Sequence, residues 1–331
     1  MNVYVTSAYP TIEQYQNIAS SWLQESAQGD IFHLHHITDD PDTADVILFV
    51  EHHPGSDLFV ERAINHPLRR RYPDKAFLYH DADYAFPFMP GIYPSIKKPY
   101  YNSVLCRSGT YIARLAENEA IIYNPKLDSS EILFSFVGAN NCTARSNILS
   151  LVSSNTYLKD TTGDHAWLLS AEERKIYEQN YVDVLRRSEF ILCPRGIGPS
   201  TYRLYEAMEM GKCPVIISDD WVEPPFIPWS DFSIRVPEAD YAKLPEILHS
   251  ISGNGMGVIA RKAWETYVAK PVCFHWMVES CISIMKERRG SRTSGVFSQY
   301  LRFAQSEYFP NFYMRAKARN LKHHFMPLSN R

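Results

Sequence analysis

Apolar positions alternate along residues 3–6, and a helical spacing follows over 12–23. Wholly apolar or nearly apolar runs recur at 31–35, 46–50 and 75–79, separated by polar or helical stretches. Short unbroken apolar runs suit strands buried on both faces, and their alternation with helices predicts a parallel sheet with crossover helices. Residues 61–71 are basic and read as a helix. Residues 86–102 (FPFMPGIYPSIKKPYYN) hold four prolines and a glycine and read as a long loop. Loops of that length in compact domains tend to carry function.

A second alternation begins with an apolar strand at 132–137 that ends in Gly138-Ala139-Asn140-Asn141. Thr143-Ala144-Arg145 then opens a helix, which places Arg145 near its start. A helix over 171–187 leads to a strand at 190–193, a loop from Pro194-Arg195-Gly196, a helix from near Ser200 to Gly211, and a buried strand at 214–218. The expected architecture is α/β with two Rossmann-like domains facing a cleft, at 1–125 and 126–290, and a tail at 291–331. At 331 residues each domain is long enough to bury its own core.

The loop after 193 is the part with chemistry. A helix start offers free N–H groups and partial positive charge, which attract phosphate. Arg195 on the loop and Arg203 in the first helical turn bring two guanidinium groups to that point, and arginine suits bidentate contact with phosphate oxygens. Glu206 lies three residues after Arg203 on the same helical face, where a carboxylate can accept two hydrogen bonds from a ribose diol. A structural ion pair between Arg203 and Glu206 is the competing account.

This stretch resembles the exostosin-type glycosyltransferases, family GT47. The matching residues are Cys193-Pro194-Arg195-Gly196, Ser200-Thr201-Tyr202-Arg203-Leu204-Tyr205-Glu206-Ala207, Gly211, and Pro214-Val215-Ile216-Ile217-Ser218-Asp219 with Trp221. The resemblance is specific over about fifty residues, looser over 131–250 and weak before 130. It implies a GT-B fold, a nucleoside-diphosphate sugar held by the C-terminal domain, no obligatory metal or cofactor, and transfer to an acceptor hydroxyl with inversion. The donor site expected on that basis comprises Arg145, Arg195, Gly196, Ser200, Thr201, Arg203, Glu206 and Asp219. Trp221 and Trp229 could stack on a base or sugar, or could simply pack in the core.

A base belongs at the carboxyl end of an N-terminal strand. Asp81 leads the candidates, and Glu51, His52, His53 and Asp83 compete with it. Asp81-Ala82-Asp83 also has the D-x-D form that holds a metal diphosphate in the other major glycosyltransferase fold, but the arginine loop fits GT-B better. A phosphate-sugar transferase and a non-catalytic nucleotide-sugar or glycan-binding protein are the alternatives on this scaffold.

Composition adds less. No run reaches the length of a membrane span, and MNVYVTSAYP has neither the basic nor the apolar region of a signal peptide, so a cytoplasmic protein working in surface polysaccharide or glycan assembly is expected. Six scattered cysteines (Cys106, Cys142, Cys193, Cys213, Cys273, Cys281) form no C-x-x-C pair and read as reduced thiols rather than a zinc site. From Lys286 to Arg331 ten Lys/Arg face two Asp/Glu, a local +8 that leaves −11 of the net −3 on the rest of the chain. Phe297, Tyr300, Phe303, Tyr308, Phe309, Phe312 and Tyr313 are interleaved there. Such a tail suits an anionic membrane surface or nucleic acid. Packing of the aromatics back on the first domain is the expected arrangement, with 315–322 free to touch lipid at the inner membrane face and no nucleic acid as partner.

Overall fold

The computed structural model describes the chain except residues 13–14, 53–56, 58, 113–117, 127–128, 165–167, 291–295 and 316–331. Strand β1 (Asn2–Thr6) is followed by a small antiparallel hairpin, β2 (Thr11–Ile12) and β3 (Tyr15–Gln16). β4 (His36–Ile37), β5 (Val46–Glu51), β6 (Ala76–His80), β7 (Gly91–Ile92) and β8 (Cys106–Arg107) join β1 in a parallel sheet of order β4-β1-β5-β6-β7-β8.

Every residue of β5 and β6 is buried, as their unbroken apolar sequences require. Side chains alternate between two cores. Val46, Leu48 and Val50 face the helices Ile18–Gln28 and Lys270–Gly290, through Leu23, Phe274, Val278 and Cys281. Ile47 and Phe49 face the opposite core, built from Phe59, Phe86, Phe88, Phe303 and Tyr308. The helix Lys270–Gly290, grouped with the second domain in the sequence reading, thus lies on the first sheet. Phe303 of the helix Val296–Gln305, with Tyr308, Phe309 and Tyr313 beyond it, covers the other face of that sheet.

The second sheet is also parallel: β9 (Ile132–Gly138), β10 (Thr156–Asp160), β11 (Ser188–Pro194), β12 (Cys213–Ile217) and β13 (Ile234–Arg235), in the order β10-β9-β11-β12-β13. Helix Ala171–Arg187 starts at a reciprocal capping box between Ser170 and Glu173. Helix Tyr202–Glu209 ends just before Gly211, whose φ of +70° is a conformation that glycine adopts without steric cost. Two parallel α/β sheets, one in each half of the chain, give the architecture of the GT-B fold.

The proline-rich segment 86–102 is more ordered than a surface loop. It contributes β7, and Phe86, Phe88, Met89, Tyr93 and Ile96 are core. A Cβ on Gly91 would stand 1.9 Å from the carbonyl oxygen of Leu78, so only glycine lets β7 lie there. The segment also reaches the second sheet. Lys97 bridges to Trp221, and Lys98 donates its N–H to the Asp220 carbonyl at 2.8 Å.

Candidate functional site

At the carboxyl ends of β9 and β11 two guanidinium groups come together. Arg145 comes from helix Thr143–Leu149 and Arg203 from helix Tyr202–Glu209. Both guanidinium groups lie against Phe136, 5.7 and 4.5 Å from its ring centroid. Arg145 Nε donates to the Arg195 carbonyl and Nη1 to the Ala139 carbonyl, each at 3.0 Å. Arg203 is buried and donates Nη2 to the Val137 carbonyl, while Nε and Nη1 have no hydrogen-bond partner among the described residues. Burial, then the charge of Arg203, pulls the Arg145 pKa down to about 10. Two desolvated like charges beside each other are costly unless an anion joins them. Glycine makes the approach possible: a Cβ on Gly138 would lie 2.6 Å from Arg203 Nη2, and one on Gly196 would lie 3.1 Å from Arg145 Nη2.

Arg195 is placed differently from expectation. Its Nε bonds Glu238 Oε1 at 2.8 Å, and its backbone carbonyl, rather than its side chain, joins the arginine pair. Asp219 belongs to the same clasp. Its Oδ1 accepts the Glu238 N–H, and its own N–H is given to Glu238 Oε1. Ser200 is buried below the loop, and Thr201 occupies the N-cap of the following helix without a side-chain capping bond. Glu206 accepts the Tyr181 hydroxyl at 2.6 Å and forms part of the wall of a 340 Å³ cavity. Trp22, Tyr111, Tyr202 and Trp264 share that wall, so both halves of the chain contribute. Glu238, Tyr181 and Phe136 were missed in the sequence, because their partners are distant in the chain and no local motif marks them.

On the facing unit, the candidate bases separate by environment. Glu51 is fully buried and accepts from Ser7 Oγ (2.7 Å), the Ala8 N–H (2.6 Å) and Asn17 Nδ2 (3.2 Å). Burial outweighs these bonds and pushes its pKa up to about 7. Asp81 is buried with His52, whose Nδ1 lies 2.6 Å from Asp81 Oδ2. His53 lies outside the described residues. Asp83 is partly exposed and meets the arginine loop: a Cβ on Gly198 would stand 2.7 Å from Asp83 Oδ1 and 2.3 Å from Ser95 Oγ. The two aspartates therefore turn to different partners. Trp221 and Trp229 are core residues, 2% and 3% exposed, packed edge to face. Neither offers an open face for stacking.

No helix among the described residues is long and apolar enough to cross a membrane. Over 148 residues the chain is 32% identical to the probable glucuronoxylan glucuronosyltransferase IRX7 of Arabidopsis thaliana, covering 40% of this chain and 33% of that protein. Over 110 residues it is 36% identical to the probable glucuronosyltransferase Os03g0107900 of Oryza sativa subsp. japonica, covering 32% of this chain and 25% of that one. The matched stretch thus spans a third or less of these relatives. Among solved structures, TarM aligns with 82% of this chain and 59% of its own at a TM-score of 0.41 and 9% identity. WaaG, a glycosyltransferase involved in lipopolysaccharide biosynthesis, aligns with 91% and 98% at 0.31 and 11%. Residues 114–251, which contain the arginine loop and the helices that carry Arg145 and Arg203, match the exostosin GT47 family model.

Proposed function

We propose that the protein transfers a sugar from a nucleoside diphosphate to an acceptor hydroxyl with inversion and without a metal. The observation that carries this reading is the Arg145–Arg203 pair on Phe136, with two Arg203 nitrogens lacking a partner among the described residues. A diphosphate there supplies the missing acceptors and the missing negative charge. Glu206 holds the ribose from the cavity wall. Asp83 is the base: of the carboxylates at the strand ends it is the one that is partly exposed and against the donor loop. It takes the proton of the acceptor hydroxyl, whose oxygen attacks the anomeric carbon. The bond from that carbon to the diphosphate oxygen breaks, and its electron pair leaves with the diphosphate, stabilised by the arginines. Asp81, through His52, positions the turn that carries Asp83.

The named relatives make glucuronic acid the first sugar to try and a glycan the first acceptor class. The test is a screen of nucleotide sugars for hydrolysis and transfer, run with excess EDTA and with Arg203→Ala as control. Turnover that is lost in EDTA and restored by Mn²⁺ overturns the metal-free reading. Donor binding without turnover for every sugar supports instead a binding protein on the same scaffold.

A further inference from the structure

His35, His275 and Glu279 meet where the chain entering β4 passes the helix Lys270–Gly290. His275 and Glu279 are four residues apart on that helix and therefore share a face. One ligand atom from each of the three residues can be chosen so that all lie within 4.8 Å of one another, and His35 Nε2 is 3.2 Å from Glu279 Oε1. The His35 and His275 rings are stacked with centroids 5.2 Å apart, and Phe32 closes the other side of His275 at 4.0 Å. Both histidines are more than nine-tenths buried. Nδ1 of His35 and Nδ1 of His275 have no hydrogen-bond partner among the described residues, and His35 Nε2 meets only Glu279. Buried polar atoms are seldom left so, because each lost partner costs desolvation energy.

An ion pair or hydrogen bond between His35 and Glu279 accounts for their contact at 3.2 Å. It leaves Nδ1 of His35 and Nδ1 of His275 without a partner among the described residues, and a cation shared by the three side chains would use all of them.

We propose that His35, His275 and Glu279 bind a divalent first-row transition metal of the zinc type. Two imidazoles and one carboxylate form a borderline donor set that selects such ions over magnesium or calcium. Rotation of the imidazoles out of their stack brings the donors to the roughly 2.0–2.2 Å that zinc requires, and water from the Glu279 side, 31% exposed, fills the fourth position. The site does not belong to the transfer chemistry. His36 pairs with Asn2 at the start of β1, so the site lies at the amino end of the parallel strands, opposite Asp81 and Asp83. Its consequence is mechanical: the ion fastens the helix that follows the second domain to the edge of the first sheet.

The test uses the full chain, stripped with a chelator and dialysed. Titration with Co²⁺ should give one equivalent of visible d–d absorption, which Zn²⁺ displaces, and the melting temperature should rise with Zn²⁺ concentration. Glu279→Gln keeps the packing and should weaken Co²⁺ binding by more than about tenfold. Asparagine at both histidine positions should abolish the spectrum. No d–d band at millimolar Co²⁺, a band that survives the double substitution, or a thiolate charge-transfer band from the cysteines would each overturn the proposal. Donor turnover serves as a separate readout: on this reading chelation lowers the melting temperature and leaves turnover intact.

Discussion

Arg203 occupies a position that few side chains tolerate: buried, on a ring face, with one of its three nitrogens satisfied within the described structure. Arg203→Ala should nearly abolish donor turnover, since removing one preorganised transition-state donor costs about 3–4 kcal/mol. Arg203→Lys should recover only part of it, because the planar fork is gone. Near-normal turnover in the alanine variant would remove the donor-site assignment. Asp83→Asn should lower turnover strongly while nucleotide affinity, measured by calorimetry, changes little. If Asp83→Asn stays active and Asp81→Asn is dead, the base is Asp81. Glu51 makes a different kind of prediction. Its pKa of about 7 when folded stands above the ordinary 4.5, so the folded protein holds that proton more tightly. That contribution is complete below about pH 4.5 and is lost as pH rises toward 7, about 3 kcal/mol in all. Denaturant titrations of the parent and Glu51→Gln should therefore differ in slope across that window, and parallel curves would contradict it. The sequence revealed Arg203, Glu206 and the D-x-D turn because motif and strand end announce them. It could not show that Arg195 is tied to Glu238, forty-three residues away, or that Asp81 is shut in with His52.

At the scale of elements, the hydrophobic pattern was legible where burial is two-sided. β5, β6, β9, β11 and β12 lie where unbroken apolar runs put them. It misled where apolar residues are exposed: residues 31–35 read as a strand, yet Ile31 and Leu34 are 63% and 60% exposed and the strand is His36–Ile37. Residues 61–71 divide into Glu61–Ile64 and Pro67–Arg71, with Pro67 at the start of the second helix, where its missing N–H costs nothing. β10 was missed because its exposed edge position needs no apolar pattern. The arginine loop carries the element-scale prediction. Gly198→Ala places a methyl group where Ser95 Oγ, Asp83 Oδ1 and the Asp83 backbone already stand. The serine can rotate away, but the Asp83 Cα at 3.1 Å cannot. The loop and the Asp83 turn should therefore separate, and turnover should fall by more than donor affinity does. Equal losses in both would mean that the contact serves donor binding alone.

The whole molecule is laced across its two units, and this was least visible in the sequence. Helix Lys270–Gly290 and the tail cover opposite faces of a sheet whose strands lie almost two hundred residues earlier. Loop 86–112 ties that sheet to the second through Lys97, Lys98 and the tilted ring pair Tyr111–Tyr202, with centroids 4.0 Å apart. The tail holds the loop in turn: Lys97 pairs with Glu307, and Arg302 donates to the Pro99 carbonyl. Phe303 stands 4.8, 5.1 and 4.7 Å from the rings of Phe59, Phe86 and Phe88, and Tyr308 is 1% exposed. Ending the chain after residue 295 should then uncover that core. Each buried aromatic side chain contributes about 1.5–3 kcal/mol, and the edge-to-face pairs about 0.5–1.5 more. The truncated protein should melt well below the full chain and lose turnover on mild warming as the loop loosens. An unchanged melting temperature would contradict the packing. The lipid half of the tail proposal is separable from it. Arg315 is exposed, and the basic residues 316–322 lie outside the described structure. Attraction of about 1 kcal/mol per basic residue should draw the full chain to anionic vesicles at low salt and release it as salt rises. A full chain that stays off such vesicles at low salt leaves the tail with its packing role only.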